Sequence, residues 1–357
     1  MSAGWLDEAG QALWDRARAF VAAGEVATDA FDAFACELFR WQRAHDPVLA
    51  RLAARTLART APERAADVPA VPTDVFAAAR VASFDERFTV RSFASSGTTR
   101  DVPGVHRFAD LSLYAEACVA TAAQGLLPAE RYRCAFLAED ERDAPRSSLS
   151  FMLARFAERW HDAPTTPWML RAGKLDVDGV VRALQGDQPV ALLGTSFAFV
   201  HLLDAARSPA LRLPAGSVVM PTGGFKGRSR ELAPEAFRAA LVDGLGVPEA
   251  SVVGEYGMTE LSSQAYEQVR NGRRAHHPPP WMRVRAVDPS TLAELPPGVE
   301  GLLRVVDLLN IGSAVAIQTS DVGRVAEDGS FVVLGRAPGA TPRGCARAAD
   351  AALRGED

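Results

Sequence analysis

Apolar residues recur at helical spacing near the start of the chain and in short unbroken blocks through its middle. Phe31, Phe34, Leu38 and Trp41 stand at i, i+3, i+7 and i+10, one face of a helix, and predict a helical segment over residues 1–60. Prolines punctuate Pro62 to Pro72, and the alternating run Phe88 to Phe93 then predicts a strand entering a tight turn. Leu111 to Leu127 has the pattern of a helix, and Tyr132 to Leu137 that of a strand. The middle alternates: strand Gln188–Gly194, helix Ser196–Ala206, strand Ser217–Met220, helix Pro234–Val242, strand Ser251–Gly254. Continuous apolar strands separated by helices imply a parallel α/β sheet. Ligands gather where such strands end, and Thr222-Gly223-Gly224 and Glu255-Tyr256 both follow predicted strands. From about residue 281 the texture is strand-rich, with Asp328-Gly329 as a hairpin turn, predicting a smaller β subdomain.

Length and charge narrow the function classes. A chain of 357 residues with 48% hydrophobic residues can bury one large core or two modest ones. Its net charge of −5 argues against a nucleic-acid partner, or an anionic membrane, bound through a broad basic surface. No apolar run reaches the length of a membrane span, and residues 1–8 lack a basic, apolar leader pattern, so a cytoplasmic location is expected. Cys36, Cys118, Cys134 and Cys345 lie far apart without metal-site spacing, and the first three are expected as core thiols. His276 and His277 point opposite ways along an extended chain and make no two-ligand metal site by themselves.

The chemistry lies in three separated stretches. Ser95-Ser96-Gly97-Thr98-Thr99 follows the predicted strand. Its hydroxyls and backbone N–H groups can wrap a polyphosphate, with glycine allowing close approach. Gly254-Glu255-Tyr256-Gly257-Met258-Thr259-Glu260 adds an aromatic ring, a hydroxyl and a carboxylate, and Thr319-Ser320-Asp321 adds a second acid. Each alone is as consistent with an ordinary loop. Gly173-Lys174-Leu175 lacks the glycine spacing and the hydroxyl of a Walker-type loop, which argues against a dinucleotide-binding or Walker-type NTPase.

In order, these stretches and Gly335-Arg336 resemble the signature motifs of the adenylate-forming superfamily of acyl-CoA synthetases, luciferases and peptide-synthetase adenylation domains. Val68 to Phe76, Thr222 to Gly227, His276 to Trp281 and the ending through Arg343-Gly344-Cys345 are similar to its acyl-protein synthetase (LuxE-like) branch. The resemblance covers roughly residues 30 to 346. It implies an α/β fold, the large N-terminal domain of adenylate-forming enzymes, with parallel α/β sheets over residues 61–334 and the β subdomain within them. The C-terminal domain is expected to be truncated to a short tail, 335–357, since 21 residues follow Arg336. Two departures accompany it. Arg100 follows Thr99 where the superfamily has glycine, and the chain's lysines are Lys174 and Lys226, so the superfamily's C-terminal catalytic lysine has no counterpart.

The resemblance implies roles residue by residue. Ser95, Ser96, Gly97, Thr98 and Thr99 would contact the phosphates of ATP, Gly223 and Gly224 would form a flat wall beside adenine, and Tyr256 with Gly257 would stack on it. Thr259 would bond the α-phosphate, Glu260 would hold magnesium, Asp321 would bind the ribose, and Arg336 would reach ribose or phosphate. Lys226 is a candidate phosphate or carboxylate contact. Phe197, His201 and Met258 are candidates for the acid pocket, although a core role suits the helix residues equally. For Glu260 the alternative is a helix-start carboxylate, and for Asp321 a turn-forming aspartate. Cys345, flanked by Arg343 and Arg347, matches the branch's acyl-accepting cysteine. The implied function is ATP-dependent activation of a carboxylic acid, fatty or otherwise apolar, as an acyl-adenylate, with transfer to Cys345 and then to a partner protein. The alternatives are a ligase using CoA or a carrier-protein thiol, and a non-catalytic nucleotide- or acyl-binding protein.

Overall fold

The computed structural model describes residues 4–57, 61–95, 102–205, 211–223 and 233–337. The chain divides into two compact units: Met1–Ala117 with Met258–Gln264 and His277–Asp357, and Cys118–Gly257 with Ala265–His276.

The first unit begins with three helices, Glu8–Ala23, Thr28–His45 and Pro47–Thr56. Asp7 caps the first by accepting from Gly10 N–H, and Gly24, at φ 67°, ends it in the left-handed conformation. Asp46 caps the third, with Pro47 in its first turn. As the spacing predicts, Phe31, Phe34, Leu38 and Trp41 are buried. Four antiparallel strands follow in series: Met282–Val287, Glu300–Asp307, Ala316–Val325 and Phe331–Arg336. Val71–Pro72 adds a short parallel pairing to Ala316–Val325. The Asp328-Gly329 turn is as expected: Gly329 has φ 80°, and Asp328 Oδ1 accepts from Ser330 N–H at 3.0 Å and Oγ–H at 2.6 Å. Gln42, fully buried, ties the helices to the loop between strands. Its Nε2 donates to Asn310 O at 2.6 Å, and its Oε1 accepts from Val315 N–H at 3.1 Å.

The second unit is built on the parallel sheet read from the sequence. Arg133–Leu137, Val190–Thr195, Val218–Thr222 and the short Glu255–Tyr256 pair side by side in that order. Alternate residues Ala135, Leu137, Val190, Leu192 and Val219 join one apolar core with Phe199 and Leu202 of helix Ser196–Ala205 and Leu241 and Leu245 of helix Pro234–Leu245. Ala265–Arg270 continues this sheet, antiparallel to Glu255–Tyr256. Asn271-Gly272 follows with φ of 51° and 72°, a two-residue reversal that only such residues accept readily.

Two strand expectations shift. The stretch expected as strand Ser251–Gly254 is a 3-10 turn, Glu249–Ser251, followed by a single bridge from Val252 to Val219, and the ladder forms at Glu255–Tyr256. Gly254 N–H is diverted to Glu267 Oε2 at 2.9 Å, which takes it out of the ladder. Likewise Glu86–Phe88 is a 3-10 turn capped by Asp85, and the strand starts at Arg91.

Candidate active site

In the first unit, strands Arg91–Ala94 and Val105–Phe108 pair antiparallel and bring together the two ends of the hydroxyl-rich segment. Ser95 donates its N–H to Gly104 O at 2.9 Å, and Gly104 N–H donates to Ser95 Oγ at 2.8 Å. The Ser95 oxygen therefore closes the base of the loop. A Cβ on Gly104 would stand 3.1 Å from Glu260 Oε1 and 3.4 Å from Ser95 Oγ, so a missing side chain lets the acid sit against that base. Ser96, Gly97, Thr98 and Thr99 lie outside the described residues.

Glu260 occupies a turn closed by Leu261 N–H donating to Met258 O at 3.1 Å, so it is not a helix-start carboxylate. It is buried, and burial pushes its carboxyl up to about 7, against the pull of Arg336 and with a push from Asp321. Consecutive carbonyls of the turn are held: His106 Nδ1 lies 2.9 Å from Thr259 O, and Asn310 Nδ2 donates to Glu260 O at 3.0 Å. Beyond it, fully buried Asp307 accepts from Ser262 N–H and Ser263 Oγ–H, both at 2.8 Å, and from Leu309 N–H at 3.0 Å. Burial raises Asp307 to about 6 despite these bonds.

Asp321 lies within strand Ala316–Val325 rather than in a turn, which removes the turn-forming alternative. It stands opposite Arg336 in the antiparallel register, and Arg336 Nε donates to Asp321 Oδ1 at 3.0 Å. Two residues predicted separately thus form one ion pair, buried at the acid and exposed at the guanidinium. Thr319 braces it, accepting Asp321 N–H at 3.1 Å while donating to Leu303 O at 2.7 Å.

In the second unit, Thr222 Oγ donates to the Glu255 carboxylate across adjacent parallel strands, and burial lifts Glu255 to about 7. Gly223 follows with φ 67° and open space where a Cβ would be, so its backbone conformation rather than crowding favours glycine. Ser196 Oγ donates to Gly223 O at 2.8 Å and fixes that turn. Buried Tyr256 meets His276 edge-on at 6.0 Å. On helix Ser196–Ala205, Phe197 is half-buried and packs edge-on at 4.4 Å against the exposed His201. Gly224, Lys226 and Cys345 lie outside the described residues. Cys36, Cys118 and Cys134 are buried, and burial raises their thiols to about 11, 12 and 12.

The sequence reading missed Gly104, His106, Asp307 and Asn310. A signal existed for two of them: an acid and an amide interrupt the apolar run Leu302-Leu303-Arg304-Val305-Val306-Asp307-Leu308-Leu309-Asn310-Ile311, where polar groups need partners.

Residues 150–354, more than half of the chain, match the family model described as acyl-protein synthetase, LuxE. The chain belongs to the LuxE acyl-protein synthetase family. The matched stretch holds Thr259, Glu260, Asp321, Arg336 and Cys345, whereas Ser95 to Thr99 precede it. A curated relative, the long-chain-fatty-acid–luciferin-component ligase of Aliivibrio fischeri, is 27% identical over 163 residues, 43% of this chain and 42% of its own length. Among solved structures, an open conformation of 2-hydroxyisobutyryl-CoA ligase with 2-HIB-AMP and CoA matches over 87% of this chain and 74% of its own, at 15% identity and TM-score 0.64. ATP-bound MatB from Rhodopseudomonas palustris matches over 70% of this chain and 48% of its own, at 18% identity and TM-score 0.51. At these identities the likeness is one of fold, and this LuxE-family chain has the α/β fold of the large domain of adenylate-forming enzymes. Among the described residues, no helix is long and apolar enough to cross a membrane.

Proposed function

We propose that this protein activates an apolar carboxylic acid with ATP and passes the acyl group to a thiol. The observation that carries the reading is the placement of a buried carboxylate, Glu260, beside the base of the Ser95–Gly104 loop, near enough that a Cβ on Gly104 would lie 3.1 Å from it. A loop of hydroxyls and backbone N–H groups suits phosphates, and an acid beside it suits the cation that accompanies them. In the reaction, the substrate carboxylate oxygen attacks the α-phosphorus, the bond to the bridging oxygen breaks, and pyrophosphate leaves. Thr259 would hold the α-phosphate and Asp321 the ribose diol.

Magnesium fits Glu260 by donor chemistry: a hard oxygen ligand to which, among the described residues, no side chain donates a hydrogen bond. Among the described residues no cluster of three or more metal-ligating side chains occurs, so ATP oxygens would complete the coordination. When bound, the ion would neutralise charge on the departing pyrophosphate.

In the second half-reaction the Cys345 thiolate attacks the acyl carbon, and AMP leaves. The family match extends over Cys345 and supports this acceptor. Incubation with ATP, magnesium and a radiolabelled long-chain acid tests both halves. Pyrophosphate release that depends on the acid is expected, with a label on the chain that neutral hydroxylamine removes. Cys345→Ser should keep the first and lose the second. ADP as the product overturns the adenylation reading. A label on another cysteine, or acyl transfer only to added CoA, overturns self-acylation alone.

A further inference from the structure

His106 is a residue that nothing in the motif pattern singles out, yet it joins the two elements on which the proposed chemistry rests. It sits two residues past Gly104 on the strand leaving the hydroxyl-rich loop, paired opposite Phe93 on the strand that enters it. Its ring is 1% exposed, packed at 4.2 Å against Phe108 and edge-on at 5.9 Å to Phe76. Nδ1 reaches the carbonyl of Thr259, 153 residues away in sequence, at 2.9 Å. A carbonyl only accepts, so Nδ1 must carry the proton. Burial drives the ring down to about 4 and keeps it neutral near pH 7, which leaves the Nδ1–H tautomer with an unprotonated Nε2.

The consequence is geometric. The carbonyl of residue 259 lies in the peptide that joins Thr259 to Glu260, so fixing it fixes the plane from which both side chains depart. Asn310 fixes the next carbonyl. With both planes held, the Cα–Cβ bond of Glu260 keeps a set direction, and that of Thr259 is constrained from its carbonyl side.

We infer that His106 is a positioning residue for adenylate formation, setting the direction of Thr259 and Glu260 through the carbonyl between them. This rests on the function proposed above. It touches neither nucleotide nor acid, and acts through a single donated hydrogen bond.

The test separates the donor's position from the ring's contribution to packing. In His106→Asn the amide nitrogen stands where Nδ1 stood, whereas in His106→Gln it extends to the Nε2 end. Both put an amide in the same apolar setting, so a purely structural residue would make the two variants equivalent. Acid-dependent ATP–pyrophosphate exchange is measured for each, with thermal melting and the ¹⁵N shifts of the wild-type imidazole. The expected result is exchange within about threefold of wild type for His106→Asn and a loss of roughly 10–100-fold in kcat for His106→Gln, as for other small misplacements of reacting groups. Their melting temperatures should lie within a few degrees of each other, and the ¹⁵N shifts should report a protonated Nδ1 and a bare Nε2. Equal losses of exchange in both variants that track equal losses of stability overturn the inference, as does the opposite tautomer. Active wild type with an unimpaired His106→Gln overturns the inference and leaves the proposed function standing. Wild type that exchanges no pyrophosphate with any acid overturns the function, and the inference with it.

Discussion

The parallel sheet of the second unit and the Met258–Gln264 turn of the first are held by different means. In the sheet, ladders such as Cys134 with Ala191 and Leu192 with Val219 satisfy the backbone, and side chains are free to be apolar. The turn has no ladder. Its backbone and hydroxyls are satisfied one at a time by His106, Asn310 and Asp307. A regular element tolerates many sequences because its bonds are generic, whereas a turn carrying chemistry depends on particular partners far away in the chain.

The largest effect should come from taking one such partner away. Asp307→Ala leaves Ser262 N–H, Ser263 Oγ–H and Leu309 N–H without their buried acceptor, for a loss of about 3–5 kcal/mol at roughly 1–3 kcal/mol per stranded group with partial relaxation. Leu192→Ala, in the fully buried centre of the sheet, should cost a comparable ~2–5 kcal/mol by cavity formation. The location of the damage distinguishes them. Hydrogen exchange after Asp307→Ala should lose protection over residues 258–264 and keep it in Val190–Thr195, and Leu192→Ala should do the reverse. Equal loss everywhere in both would erase the contrast.

Glu260→Gln sharpens it next, by separating stability from chemistry. Adenylation should fall about 10²-fold, as with other electrostatic groups at reacting centres. Stability should move the other way. The carboxyl has an ordinary value of 4.5 and rises to about 7 in the fold, so the folded protein holds the proton more tightly. That stabilisation is full below about 4.5 and lost as pH climbs through 7. The variant should therefore match wild type near pH 4 and exceed it by up to ~3 kcal/mol at pH 8, read from urea midpoints. Wild-type stability that stays flat relative to the variant between those pH values would remove the buried acid from the argument.

Asp321→Ala should have the smallest effect. Its partner Arg336 is more than half exposed, so unpairing should shift melting little, while ATP binding measured by calorimetry weakens by about 1.5–3 kcal/mol for a lost charge-assisted bond. If the variant melts far below wild type with unchanged affinity per folded molecule, the pair is a strut of the β strands and not a nucleotide contact.

Much of the second unit is legible in the amino-acid sequence, because Val190 to Leu193 and Val218 to Met220 are apolar blocks between helical patterns. The strand expected at Ser251–Gly254 forms later in the chain, since the acid that diverts Gly254 N–H, Glu267, lies 13 residues on and carries no local signal. In the candidate site, Thr259, Glu260 and Asp321 are legible as motif residues. Their settings are not: no local pattern pairs Asp321 with Arg336, and the two meet only because their strands lie side by side.

The parallel strands of the second unit, the strand-rich portion after residue 281 and the motif residues are readable from the chain alone, because periodicity and short motifs are local properties. Tertiary structure decided which distant residues hold that motif. His106, Asp307 and Asn310 matter because a turn without a ladder must borrow its hydrogen bonds, and the lender of a bond is chosen by position in space, which separations of 44 to 153 residues hide from any local pattern.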